Sequence, residues 1–132
     1  MNTAQLLLFR EDFDSGTNPV TRDESATETE DWLICRACAR PVTKDRDRIA
    51  VDGRHRHNLF NPAGILFEVG CFAAAPGCRF SGEFTEEFTW FPGHAWRYAL
   101  CGGCGEHLGW EFRSQDSGFA GLILGKVIPL PK

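Results

Sequence analysis

Nothing in this sequence is long and apolar enough to cross a bilayer. The densest hydrophobic run near its start is Leu6-Leu7-Leu8-Phe9, with Ala4 just ahead of it, far short of the roughly 20 residues a spanning helix needs. That run also lacks a basic leader and a small-residue cleavage pattern, so no secretory signal is expected, no membrane is expected as a partner, and the expected location is cytoplasmic. No G-x-S-x-G, no H-E-x-x-H and no glycine-rich phosphate loop occurs, which speaks against the commoner hydrolase, metalloprotease and nucleotide-binding chemistries. Long helical repeats of Ala, Leu, Glu and Lys are missing too. A basic stripe is absent as well. The formal net charge is -4, and residues 1–31 hold eight acids against two bases, leaving ten acids and twelve bases for the remainder. A nearly neutral folded part gives a nucleic-acid backbone little to hold, so no nucleic-acid partner is expected.

What the chain does have is glycine and aromatics: Gly 14, Phe 11 and Trp 4 in 132 residues. That mixture, without helical periodicity, predicts short strands joined by tight turns and an all-β fold. The length suits one domain. Residues 1–31 read as a flexible acidic tail, being polar and turn-rich, and 32–132 as the folded β domain. Within it, strands are expected at 47–51, 65–72, 79–90, 96–101 and 107–112, the third of these with a bulge or bend near 85–87. A loop is expected at 55–64, and a hairpin or edge strand at 119–130. Alternation over 107–112 places Leu108, Trp110 and Phe112 on one side, with His107 and Glu111 on the other. Pro92-Gly93 supplies a sharp turn before Trp96.

Four of the six cysteines form two pairs of one spacing, Cys35-x-x-Cys38 and Cys101-x-x-Cys104. Each pair can offer two thiolates from one tight turn, and two such turns complete the tetrahedral sulfur shell of one structural Zn2+. Such a shell leaves no open coordination position, so the metal is expected to be structural. Sixty-two residues lie between Cys38 and Cys101, so the ion would close a long loop and staple the start of the domain to its last third. Gly102-Gly103 lets main-chain amides turn towards sulfur, and Arg36 and Arg40 are placed to offset the excess negative charge. Cys71 and Cys78 are expected to be ordinary buried or half-buried thiols.

The second concentration is aromatic. Trp90, Trp96 and Trp110 fall within 21 residues, two flanking the Pro92-Gly93 turn and one just past the second cysteine pair. Tied by the knuckle at 101–104, the strands bearing Trp96 and Trp110 become neighbours, and the three indoles can line one pocket for a flat ring or a quaternary cation. The absence of a catalytic constellation argues for a binding module and not an enzyme. Two other readings are open: an enzyme of the methionine-sulfoxide-reductase kind, working through Cys71 or Cys78, and an aromatic-cage reader of methylated cations, with Glu87 or Glu111 as counter-charge.

The segment WFPGHAWRYALCGGCGEHLGWEF at 90–112 resembles the thalidomide-binding domain family of cereblon, the CULT domain. The likeness rests on Trp90-Phe91-Pro92-Gly93, Trp96, Cys101-x-x-Cys104 and His107-Leu108-Gly109-Trp110, and extends to Cys35-x-x-Cys38, Asn61-Pro62, the 65–72 strand and the 119–129 region. It covers about residues 32–130. It implies a β-tent, two antiparallel sheets meeting at a steep angle and pinned by structural zinc. It also implies a site for cyclic imides such as glutarimide and thalidomide-type ligands, for uracil-like or hydantoin-like rings, and for carboxy-terminal cyclic imides on proteins. By that resemblance Trp90, Trp96 and Trp110 form the cage walls, Phe112 the floor and Asn61 part of the covering loop. Phe67, Phe88 and Thr89 complete the ligand-binding set, with the main chain of Phe88 and Trp90 reading the imide edge. Phe88 replaces a histidine of the human family member, so selectivity for the ring's substituent is expected to differ. The chain has no room for the Lon-like domain or the adaptor-docking helical region of longer members. It is therefore expected to be a single-domain bacterial relative without a ubiquitin-ligase role.

Overall fold

The computed structural model describes residues 31–131, and the expected acidic tail at 1–31 lies, but for Asp31, outside the described residues. No α-helix occurs among the described residues. Within the described residues nine strands run in chain order: β1 (Trp32–Cys35), β2 (Pro41–Lys44), β3 (Arg56–Phe60), β4 (Leu66–Phe72), β5 (Cys78–Thr85), β6 (Ala95–Cys101), β7 (His107–Arg113), β8 (Gly118–Ile123) and β9 (Val127–Pro129). They form two antiparallel sheets, a three-stranded one in the order β2-β1-β9 and a six-stranded one in the order β3-β4-β8-β7-β6-β5. The all-β expectation holds.

Period-2 alternation divides the burial. On β4 and β8, Phe72, Ala120 and Leu122 join Leu33, Cys35, Val42 and Val127 of the small sheet in one core cluster. Their neighbours Val69, Cys71, Phe119 and Ile123 turn to the other face and join Phe91, Trp110 and Phe112 in a second, aromatic cluster. The small sheet thus covers one face of the large sheet, while the other face carries the aromatics.

Four expectations are corrected. The strand expected over 79–90 ends at Thr85, and residues 86–90 lie outside any strand. Residues 55–64 are not a loop: Arg56–Phe60 is a strand, paired in register with β4 from Arg56↔Gly70 to Phe60↔Leu66, and only 61–65 turn. The polar residues of β3 suggested a loop, but this is an edge strand with exposed Arg56, Asn58 and Phe60, where polar side chains cost nothing. Residues 47–51 are not a strand either. A 3-10 turn at Asp45–Asp47 is followed by isolated bridges, Arg48↔Phe72 and Val51↔Arg54, the latter closed through Asp52 and Gly53, both at positive φ. Finally, the 119–130 stretch is neither a hairpin nor one long edge strand, and only its last part, β9, lies at a sheet edge. β8 lies inside the large sheet between β4 and β7, a 3-10 turn at Leu124–Lys126 breaks the run, and β9 crosses to pair with β1 in the small sheet.

Candidate functional site: a four-thiolate cluster beside an aromatic cavity

The two cysteine knuckles are built alike. In the first, Cys35 N–H donates to Arg40 O at 2.8 Å and Ala39 N–H donates to Cys35 O at 2.7 Å. In the second, Cys101 N–H donates to Glu106 O at 2.8 Å and Gly105 N–H donates to Cys101 O at 2.9 Å. Each turn needs a left-handed residue after its second cysteine, supplied by Ala39 at φ 69° and Gly105 at φ 82°. The four sulfurs lie within 4.8 Å of one another. Cys35 and Cys104 are 3.8 Å apart, Cys38 and Cys101 3.5 Å. Zinc–sulfur bonds of about 2.3 Å give a tetrahedron with edges of about 3.8 Å, so the cluster fits one zinc ion. Gly103 N–H points at Cys101 Sγ, 3.4 Å away.

The glycines here are there for space. A Cβ on Gly102 would sit 2.8 Å from Gly77 O, and one on Gly103 3.1 Å from the Arg40 side chain. Arg40 lies along this knuckle and donates to Gly77 O, whereas Arg36 reaches away to Gly125 O. Cys71 and Cys78 stand outside the sulfur cluster, and burial pushes each thiol up to about 12.

On the other face of the large sheet, strand register assembles an aromatic wall. β6 pairs with β7 so that Trp96 stands opposite Phe112 and Tyr98 opposite Trp110. Across β7, Trp110 faces Gly121, whose missing side chain matters: a Cβ there would meet the Phe112 ring at 2.9 Å and Val69 at 3.1 Å. Phe67 of β4 packs edge-on against Trp110 at 5.3 Å, and Trp90 packs edge-on against Trp110 at 4.8 Å. Together they enclose a cavity of about 530 Å³.

Trp90, Trp96 and Trp110 all line that one cavity, with Phe67, Phe88, Phe112 and Asn61. Of the eight ligand-site residues expected from the sequence, Thr89 is the one outside the lining. Its hydroxyl is turned to the Phe91 main chain, with both contacts at 3.4 Å. Two indoles are fixed by main-chain acceptors: Trp90 donates to Phe60 O at 2.8 Å and Trp96 to Glu87 O at 2.7 Å. Asn61 uses its side-chain carbonyl to close its own turn, accepting from Ile65 N–H at 2.9 Å. Phe88 is 70% exposed and sits at φ 56°, a left-handed conformation that a bulky residue adopts only at a cost. Among the described residues, the main-chain N–H and C=O of Phe88 and Trp90 have no hydrogen-bond partner.

The expected ligand-site set lacks Pro62, Tyr98 and His107, which complete the lining together with Glu87, a residue the sequence offered only as a counter-charge in the cation-reader alternative. Tyr98 was legible, since it follows Trp96 by two residues on one strand. His107 was not. The β6–β7 register slips between Ala99 and Leu100, a bulge that breaks the alternation. Leu108 therefore drops into the core under the small sheet, and His107 joins the cavity face, edge-on to Trp110 at 4.9 Å and to Tyr98 at 5.4 Å. This corrects the expectation that His107 shares a side with Glu111. Nε2 of His107 donates to Gly109 O at 2.9 Å, and burial, aided by the Lys126 ammonium, holds its pKa below the ordinary histidine value. Glu111 faces away from the cavity and is buried between Arg97 and Arg113, each 2.8 Å from one of its oxygens.

No protein-family model matches the chain. Similar curated proteins include cereblons of several fruit flies. The chain is 31% identical over 99 residues to the protein cereblon of Drosophila grimshawi, 32% over 93 residues to that of Drosophila willistoni and 30% over 94 residues to that of Drosophila melanogaster. These alignments cover 68–73% of this chain but only 15–16% of each relative, so it spans about one sixth of the length of the proteins it matches.

Proposed function

Because the chain carries a cereblon-like domain, we propose that it is a non-catalytic receptor for small cyclic imides, glutarimide and thalidomide-type ligands among them, and for related rings such as uracil or hydantoin. One observation carries the reading: Trp90, Trp96 and Trp110, far apart in sequence order from Phe67 and Asn61, converge on a single cavity. Flat indole walls take up the faces of a small ring. An imide presents C=O, N–H and C=O along one edge, and the unpartnered main-chain groups of Phe88 and Trp90 offer complementary donors and acceptors without charge. A cyclised residue at the carboxy terminus of a protein carries the same edge, which makes such termini candidate partners. The four thiolates would hold one structural Zn2+, which would steady β1 against the end of β6 and so the strands behind the cage.

The enzyme reading has little support, because the two thiols outside the sulfur cluster are protonated at neutral pH and a thiol nucleophile must ionise. The test is a calorimetric titration of zinc-loaded protein with glutarimide. Saturable one-to-one binding is expected. Trp110→Ala should weaken it by more than about 2 kcal/mol, the loss typical of a central aromatic anchor. Absence of binding at millimolar glutarimide to folded protein would falsify the reading.

A further inference from the structure

The cavity lining includes one acidic residue, Glu87, and no lysine or arginine. Basic side chains close by are paired: Arg97 and Arg113 are both bound to Glu111, with Arg97 stacked over Phe84, and Lys126, on the His107 carbonyl, is paired with Glu106 at 3.1 Å. Burial disfavours the charged form of His107. Glu87 itself is exposed, and its carboxylate has no ion pair or hydrogen bond among the described residues. Its main chain, by contrast, is fixed, since its N–H donates to Thr85 Oγ1 at 3.1 Å and its carbonyl accepts from the Trp96 indole. Glu87 is therefore carried on a pinned backbone at the cavity, next to indoles whose faces also favour positive charge.

From this we infer that the ligand's substituent, the part projecting beyond the ring, is cationic: the site selects cyclic imides bearing an ammonium group over neutral or anionic ones, and Glu87 sets that preference. The inference rests on the cyclic-imide reading, and it deepens it by naming the ligand's charge class. An unbranched imide ring fills only a fraction of about 530 Å³, so the remaining space beside Glu87 is where the preference would act.

The experiment compares two isosteres of equal shape on zinc-loaded, full-length protein: glutarimide carrying a 3-trimethylammonium group and glutarimide carrying a 3-tert-butyl group. Plain glutarimide and tetramethylammonium are titrated beside them, all followed by indole fluorescence. The cationic isostere is expected to bind about 3- to 30-fold more tightly than the neutral one, the range spanned by exposed to desolvated cation–aromatic contacts. Glu87→Gln should lower that ratio at least about threefold, and 0.5 M salt should lower it in wild type. A ratio near one in wild type, or a ratio that Glu87→Gln leaves unchanged, overturns the inference while glutarimide binding preserves the receptor reading. Binding of tetramethylammonium without glutarimide does the reverse: it sinks the imide reading and supports a cation cage. Binding of none of the four overturns both.

Discussion

At the scale of single residues, three side chains set testable costs. Ala39 and Phe88 both occupy left-handed backbone, the first to close a cysteine knuckle, the second beside the cavity. Ala39→Gly relieves strain that has no other use, and is expected to raise stability by about 0.5–1 kcal/mol in denaturant titration. Phe88→Gly should raise stability by a similar small amount, yet loosen the segment whose main chain is to read the imide, so glutarimide affinity should fall. A gain in both would contradict the proposed role. His107 gives a pH signature. Its folded pKa is depressed, so the unfolded chain binds more protons as the pH falls through 6.5, and the contribution of neutral His107, complete above that value, is progressively lost below it. His107→Gln should flatten that part of the stability profile, read as the difference from wild type between about pH 7 and pH 5. Much of this site was readable beforehand, because tryptophans and paired cysteines are distinctive. Thr89 was misplaced because its hydroxyl serves the Phe91 main chain, a local bond that spacing cannot announce.

At the scale of elements, the cage depends on strand register. β7 places Trp110 and Phe112 on one face and Glu111 on the other, while the bulge beside Leu108 moves His107 across. Register errors turn side chains to the wrong sheet face, and bulges are invisible to alternation counts, which is why His107 was assigned to the wrong side. The same limit applied to β3, whose mixed polarity hid an edge strand, and to the 119–129 run, where one apolar stretch serves two sheets. Gly121 tests the register directly. Its methyl variant would meet the Phe112 ring at 2.9 Å and Val69 at 3.1 Å beneath the cavity floor. Gly121→Ala should therefore cost about 1–3 kcal/mol of stability through overpacking and weaken glutarimide binding as the floor shifts. On the opposite face, Glu111→Gln should cost about 1–2 kcal/mol, less than a fully buried pair because Arg113 is half exposed. It should leave the cavity's ligand preference alone, since Arg97, Glu111 and Arg113 are absent from the lining.

At the scale of the whole domain, two antiparallel sheets share one core cluster and one four-sulfur site, and both join the first described strand to the last third of the chain. Chelation is thus expected to lower the thermal midpoint sharply and to abolish ligand binding along with it, and Cys35→Ser or Cys104→Ser should do the same in the presence of zinc. Retention of full stability in a strong chelator would contradict the staple. Long-range pairing of this kind was visible in the repeated Cys-x-x-Cys spacing, whereas the partition of strands between sheets was not, because it depends on which faces find a covering layer.

The central claim is that three indoles form one ligand site and the fourth does not. Trp32 supplies the internal control, since it lies in β1 of the small sheet, beneath the Lys44 ammonium and outside the cavity lining. In a nitrogen–proton correlation spectrum of zinc-loaded protein, the indole signals of Trp90, Trp96 and Trp110 should shift together on adding glutarimide, with one dissociation constant, while the Trp32 signal stays still. Movement of only one cage indole, or equal movement of all four, would contradict the account.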